Sequence, residues 1–340
     1  WMYKILSFLF LVFFSTGGWS QSDSLRKETN SHDSLRSLYI KRYPDHFSLW
    51  AVIKSRSLGF DARNIKTNDA IRYRPNSRTS LGVGLYLFEV LAEITFSVPE
   101  EPSSVEKFGS TRVRDVQLNA IGKFWGADAY WQRYNGFYLD NSAAAVNGIF
   151  PQRADIKATN FGMSGFYVFN RQKFSLRSAY NFSEHQLKRG GSWMVIGTVN
   201  SFRISGDSSF FESTDPSSEL VSMRYTTLGL APGYSYSYVY QNFFFNGTVG
   251  FGPAHNWMFI RHPDGKEVNS VSINSYSLVR LGIGYNSDRF FGGLGFSVQS
   301  RNLRIEDVRY SNSTSVFKVL FGYRFREFGF LKKRAVDLLR

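Results

Sequence analysis

The sequence predicts an all-β chain, a transmembrane antiparallel up-and-down β-barrel of about 12–14 strands. Three observations carry this. Past residue 46 the apolar residues recur with period two, which only a strand converts into two distinct faces. The face opposite the large residues holds Gly, Ser, Thr, Asn and isolated Arg, not the Lys and Glu that would cover a soluble sandwich. An export-type segment opens the chain, and there is no cysteine among its 340 residues.

The elements follow in chain order. Lys4 and the apolar run Ile5–Phe14 resemble the positive and hydrophobic regions of a signal peptide. Small residues Gly18 and Ser20 fit a cleavage site between Ser20 and Gln21, so residues 1–20 are expected to be removed. The run is about ten residues, too short to span a bilayer as a helix. Residues 21–45 are polar and Ser-rich and are expected to form a flexible periplasmic lead-in.

The barrel is assigned to 46–325, with strands near 47–57, 69–75, 80–86, 89–97, 111–123, 127–138, 157–169, 173–181, 191–203, 222–238, 242–254, 272–286, 289–302 and 312–325. Phasing is clearest late in the chain. Tyr234, Tyr236, Phe243, Phe245, Leu281, Phe321 and Tyr323 fall on the large face and are expected to meet lipid. Thr227, Ser235, Asn246, Arg280 and Arg324 fall on the small face and are expected to point inward. Pro75-Asn76, Asn170-Arg171-Gln172 and Asn286-Ser287-Asp288 read as turns. Longer polar connections fall near 98–110, 139–156, 203–221, 254–271 and 303–311. Counted straight through, the turns change sides around 98–110 and 203–221, so an even number of crossings needs a strand reassigned in each region.

Residues 317–325, FKVLFGYRF, resemble the terminal-strand signal read by the barrel-assembly machinery, although the basic tail 326–340 follows it. A barrel of this kind belongs in the cell outer membrane. There its partners would be membrane lipid and lipopolysaccharide.

Six phrases occur in a familiar order: YRPN at 73–76, KFGSTRVRD at 107–115, YNGFYL at 134–139, KRGGSW at 188–193, APGYSY at 231–236 and FGYRF at 321–325. Together they resemble an uncharacterised Bacteroidota family of outer-membrane β-barrels, domain of unknown function 4421, over roughly residues 45–325. The resemblance implies fold and location and carries no catalytic residues.

Chemistry is sparse. Without Cys there is no thiol nucleophile and no thiolate metal site. The five His (His32, His46, His185, His255 and His262) form no metal-ligand spacing. No GxSxG elbow occurs; His185, flanked by Ser183 and Glu184, is the best candidate for a membrane hydrolase acting on lipid. GVG at 82–84, GFG at 250–252 and GLG at 293–295 lie inside strands, where glycine makes room. Asp115 with Arg112 and Arg114, and Arg301 with Arg304 and Glu306, are candidate ion pairs. No cofactor motif, metal site or catalytic set is assigned, and export excludes nucleic acid.

Charge is the one property with a functional direction. Lys and Arg number 41 against 27 Asp and Glu, a formal charge of +14. Arg177, Arg280, Lys318 and Arg324 are the lumen-lining candidates, and rings of such cations favour anions. The reading is therefore a barrel that is either a narrow pore preferring small anionic solutes or a structural element. The alternatives are a lipid hydrolase and a scaffold or adhesion barrel binding a partner through its loops. None of the sequence features points to an enzyme.

Overall fold

The computed structural model describes residues 35–66, 68–76, 79–87, 90–208, 220–305 and 308–327. The predicted signal segment, cleavage site, His32 and most of the basic tail lie outside these residues. No described helix is long and apolar enough to cross a membrane.

Fifteen strands are described. They are β1 (Ile40–Arg42), β2 (His46–Asn64), β3 (Ala70–Arg74), β4 (Thr79–Leu87), β5 (Val90–Ser97), β6 (Arg112–Ile121), β7 (Trp125–Leu139), β8 (Gln152–Val168), β9 (Glu184–Gln186), β10 (Gly190–Ser205), β11 (Ser222–Tyr240), β12 (Phe243–Arg261), β13 (Glu267–Asn286), β14 (Phe290–Ile305) and β15 (Val308–Arg326). Two short helices intervene, α1 (Pro102–Phe108) and α2 (Leu176–Tyr180). From β7 onward the long strands pair antiparallel with their sequence neighbours, β8 meeting β10 directly. β15 then pairs with β2 along its whole length, from Val308↔Asn64 to Arg326↔His46. A short bridge, Tyr73↔Leu139 and Arg74↔Tyr138, joins β3 to β7. Ten strands thus close a ring: β2, β3, β7, β8 and β10 to β15.

The ring resolves the side-switching of the predicted turns, with the reassigned segments at 69–86 and 173–181 and not within 98–110 and 203–221 as expected. β3 pairs with the upper part of β2 (Phe60↔Tyr73) and β4 with its lower part (Lys54↔Ser80). The segments predicted at 69–75 and 80–86 are therefore two halves of one descending strand, interrupted at Pro75-Asn76, where proline has no amide to give a ladder. The predicted strand at 173–181 is instead α2 with its flanks. Its alternation reflects packing on several sides inside the barrel, not a wall. Below the β3–β7 bridge the wall adds β4, β5 and β6, giving twelve strands around that half. No β5–β6 pairing occurs among the described residues.

The connections at the end carrying His46 and Arg326 are mostly short; those at the other end are longer. The short-turn end is the periplasmic one. Several predicted loops are strand as well. β8 begins at Gln152, β12 runs to Arg261 and β13 starts at Glu267. Their outward residues there include Arg261, Glu267 and Asn269, so the apolar alternation fades although the ladder continues.

The phase assignment holds. Tyr234, Tyr236, Phe243, Phe245, Leu281 and Phe321 are exposed on the outer face, with Phe321 at 64 %. Tyr323 is half-buried on the same face. Thr227, Ser235, Asn246 and Arg324 are buried, and Arg280 points inward. Glycines on the inner face seat aromatic rings. A Cβ on Gly84 would strike the Trp50 ring at 1.9 Å, and one on Gly322 the Phe291 ring at 2.3 Å. Gly136 has a different role: it sits at φ 92 in the β7 bulge, a left-handed conformation that favours glycine.

Candidate functional site

The barrel interior is filled in layers. At the outer end Leu58, Phe60, Tyr134, Phe202, Tyr225 and Tyr310 belong to one buried apolar cluster. Phe60 stacks on Phe202 at 6.1 Å and on Tyr310 at 6.0 Å. At the periplasmic end Trp50, Val52, Phe244, Phe291 and Leu320 form another with Ala179 and Phe182. A third gathers Phe166, Met194, Ile196, Tyr276 and Leu278 around Phe174 and Leu176. Layers of this kind are packed in the manner of a protein core.

Between them lies a polar belt. Asn160 donates to Gln132 at 2.8 Å, and Asn200 donates to Asn160 at 2.7 Å and to Tyr130 at 3.0 Å. Arg301, fully buried, donates to the Tyr130 hydroxyl at 2.9 Å and lies over the Tyr276 ring at 5.3 Å. Glu306, the acid of the pairing expected with Arg301 and Arg304, lies outside the described residues. Asp115 pairs with Arg56 at 2.9 Å, while Arg112 and Arg114 point outward from β6.

The four predicted lumen cations are all engaged. Arg280 pairs with Asp128. Lys318 pairs with Glu93 at 2.7 Å, and Lys54 meets the same carboxylate. Arg324 donates to the Phe182 and Ser287 carbonyls and to Asn286 at 2.7 Å. Arg177 is not on a wall strand. It belongs to α2 and donates to the Ile121 carbonyl at 2.7 Å. Glu93, Asp115 and Asp128 share the inward phase of these cations. The parity that marked Arg280 and Lys318 as inward marks Glu93 between outward Ala92 and Ile94, and Asp128 between Ala127 and Ala129.

The periplasmic half is stoppered by residues 169–189. Phe174, Leu176, Ala179 and Phe182 are buried. The Tyr180 hydroxyl donates to Asn246 at 2.5 Å, and Phe182 stacks on Phe291 with ring centroids 5.3 Å apart. β9 pairs with β1, Lys41 opposite His185, so the chain before the barrel is tied to the stopper. Within it Glu184 accepts from Arg36 at 2.7 Å and from Ser175 at 2.5 Å, with both partners of the ion pair almost fully buried. Arg36, Ile40 and Tyr43 are buried, Ile40 at 2 % exposed, so this part of the stretch expected to be a flexible lead-in is anchored. The anchoring has a physical cause: the few apolar side chains among its polar ones, Ile40 and Tyr43, find a buried surface.

His185 lies in this stopper, away from the lipid face. Its Nδ1 is 3.4 Å from the Tyr43 hydroxyl. Burial, then the Arg324 charge, pushes the imidazole pKa down to about 4. Burial raises the Tyr43 phenol, and the Lys41 hydrogen bond holds Asp288 below the usual carboxylate range. Among the described residues no group of three His, Asp or Glu is arranged for a metal ion.

A closed antiparallel ring, apolar outside and packed inside, defines an integral outer-membrane β-barrel. The chain belongs to the family described as Domain of unknown function (DUF4421), whose model matches residues 31–325. No curated protein matches it. Among solved structures it is similar to the outer membrane protease OmpT from Escherichia coli. Identity is 11 %, coverage is 83 % of this chain and 97 % of that one, and the TM-score is 0.39. It is similar also to the β domain of the Bordetella autotransporter BrkA, at 12 % identity, 84 % and 100 % coverage and TM-score 0.34. No activity, ligand or partner of those proteins passes to this chain.

Proposed function

We propose that the protein is a sealed structural barrel rather than a standing solute pathway. One observation carries this reading: Arg280 and Lys318 are bound by carboxylates and Arg177 by a carbonyl, in a lumen with buried apolar clusters towards both ends, while Arg324 is held by carbonyls at the periplasmic rim. A mobile anion would have to displace a buried carboxylate to use Arg280 or Lys318, and breaking such a pair is strongly unfavourable. Swelling of vesicles carrying the refolded full chain in isotonic anionic and neutral solutes tests the reading. Swelling at the rate of empty vesicles is expected. A solute-dependent rate that falls in Arg280→Gln would replace the sealed barrel by the anion pathway.

The length of the wall favours a scaffold role for this sealed barrel. β12 has 19 residues and β13 has 20, whereas roughly 9–11 tilted residues suffice to cross. The excess stands beyond the lipid as a ten-stranded stub filled by the outer apolar cluster. Such a stub is a rigid platform for loops. Protease added to intact cells should leave its strands uncut and nick only the connections between them.

A further inference from the structure

The periplasmic rim carries an open groove of about 670 Å³ between the chain entering β2, the β13–β14 turn and the end of β15. Five of its lining residues are cations, Lys41, Arg42, Arg289, Arg324 and Arg326; two are acids, Asp45 and Asp288. The walls therefore hold a surplus of three positive charges. Asp288 is already committed to Lys41 at 2.6 Å. The next acid along, Glu327, donates its amide to the Asp45 carbonyl at 2.9 Å. Arg289 and Arg326 are exposed, and neither side chain has an ion-pair partner among the described residues. Arg324 forms the floor, 2 % exposed, with its Nε unpartnered.

The groove adjoins the lipid-facing wall. Phe325 and Tyr323 line it. Phe325 stacks on Phe47 at 5.1 Å, Tyr323 meets Phe290 edge-on at 4.9 Å, and Phe290 stacks on Phe321 at 6.2 Å. A column of rings thus climbs from a cationic groove into the apolar band. A free anion would use only the groove; an anionic amphiphile would use both. Arginine forks also match phosphate oxygens in pairs. We propose that this groove binds the phosphate headgroup of an anionic phospholipid of the inner leaflet, with its acyl chains along the Tyr323–Phe290–Phe321 column. The proposal is independent of whether the lumen conducts.

Native mass spectrometry of the full chain tests it, in detergent with equal amounts of dioleoyl phosphatidylglycerol and dioleoyl phosphatidylcholine. Preferential retention of phosphatidylglycerol is expected. Arg289→Gln and Arg326→Gln should each reduce that preference by about fivefold, the order expected for one cation at an anionic lipid surface. Arg224→Gln, at the opposite end over Phe259, should leave it unchanged. Excess inorganic phosphate should not displace the lipid. Equal retention of the two lipids, an unchanged preference in the Arg289/Arg326 double variant, or displacement by phosphate alone would overturn the proposal. The heat-dependent gel shift of a folded barrel shows that each variant is folded.

Discussion

Glu93 faces two lysines, Lys54 and Lys318, with its side chain 9 % exposed. Removing one member of a buried ion set costs more than the set contributes, because the survivors stay buried without a partner. Glu93→Gln should therefore destabilise the barrel by about 3–5 kcal/mol in urea unfolding from lipid vesicles. A change near zero would mean that water reaches both lysines. On the outer face the expectation is opposite in origin. Leu281→Lys places a charge against lipid and should cost ~2–4 kcal/mol if it lies near the midplane. The glycines under aromatic rings give a third residue-scale outcome. Gly322→Ala would press a methyl into the Phe291 ring, and overpacking of this kind costs about 1–3 kcal/mol. The inward and outward assignments behind these expectations were legible in the sequence, because parity along one strand needs no knowledge of its neighbours. The pairings were not: Lys318 and Glu93 are 225 residues apart and meet only when β15 closes on β2, with β4 and β5 laid beside it.

At the scale of the element, the stopper is the part that sequence reasoning misread. Leu176, Ser178 and Tyr180 resemble one face of a strand, and only the enclosing barrel makes both faces of the segment buried. Asn170-Arg171-Gln172 was correctly read as a turn, but nothing local says that the chain then enters the lumen. The stopper carries a testable pH response. His185 has its folded pKa lowered to about 4 from the ordinary 6.5. Between those values the unfolded or released segment binds a proton that the docked one does not, so docking is strongest above 6.5 and weakens as pH falls towards 4. Asp288 acts in the same direction, since its lowered pKa adds stability that is lost on acidification. Amide exchange of residues 174–186 should accelerate as pH drops through this window, after correction for intrinsic rates. His185→Gln should flatten the response in this window and leave only the Asp288 contribution, which is lost below the ordinary carboxylate value of 3.8. Exchange that is pH-independent in the unaltered chain would count against a neutral, buried His185.

At the scale of the molecule, a wall of twelve strands in the lipid-facing half would surround space that side chains of ordinary size fill only partly, since eight strands already give an interior just wide enough for side chains. The chain resolves this in two ways. It narrows to ten strands above the β3–β7 bridge, and it folds residues 169–189 into the periplasmic half. The positive charge that suggested an anion path is distributed accordingly. Lys54, Lys318, Arg56 and Arg280 in the lumen are matched by Glu93, Asp115 and Asp128, buried Arg301 is held by the Tyr130 hydroxyl, and exposed Arg289 and Arg326 lie at the rim facing the periplasm. Net charge read from composition cannot separate these two populations, because their difference is one of depth. Planar-bilayer conductance of the refolded full chain shows whether the lumen is sealed. A sealed lumen gives no steady ion current above the bare bilayer at ~0.1 M salt, where exposed lumen charges would still act over about 10 Å. A stable current with an anion-selective reversal potential, reduced in Arg280→Gln, would contradict it.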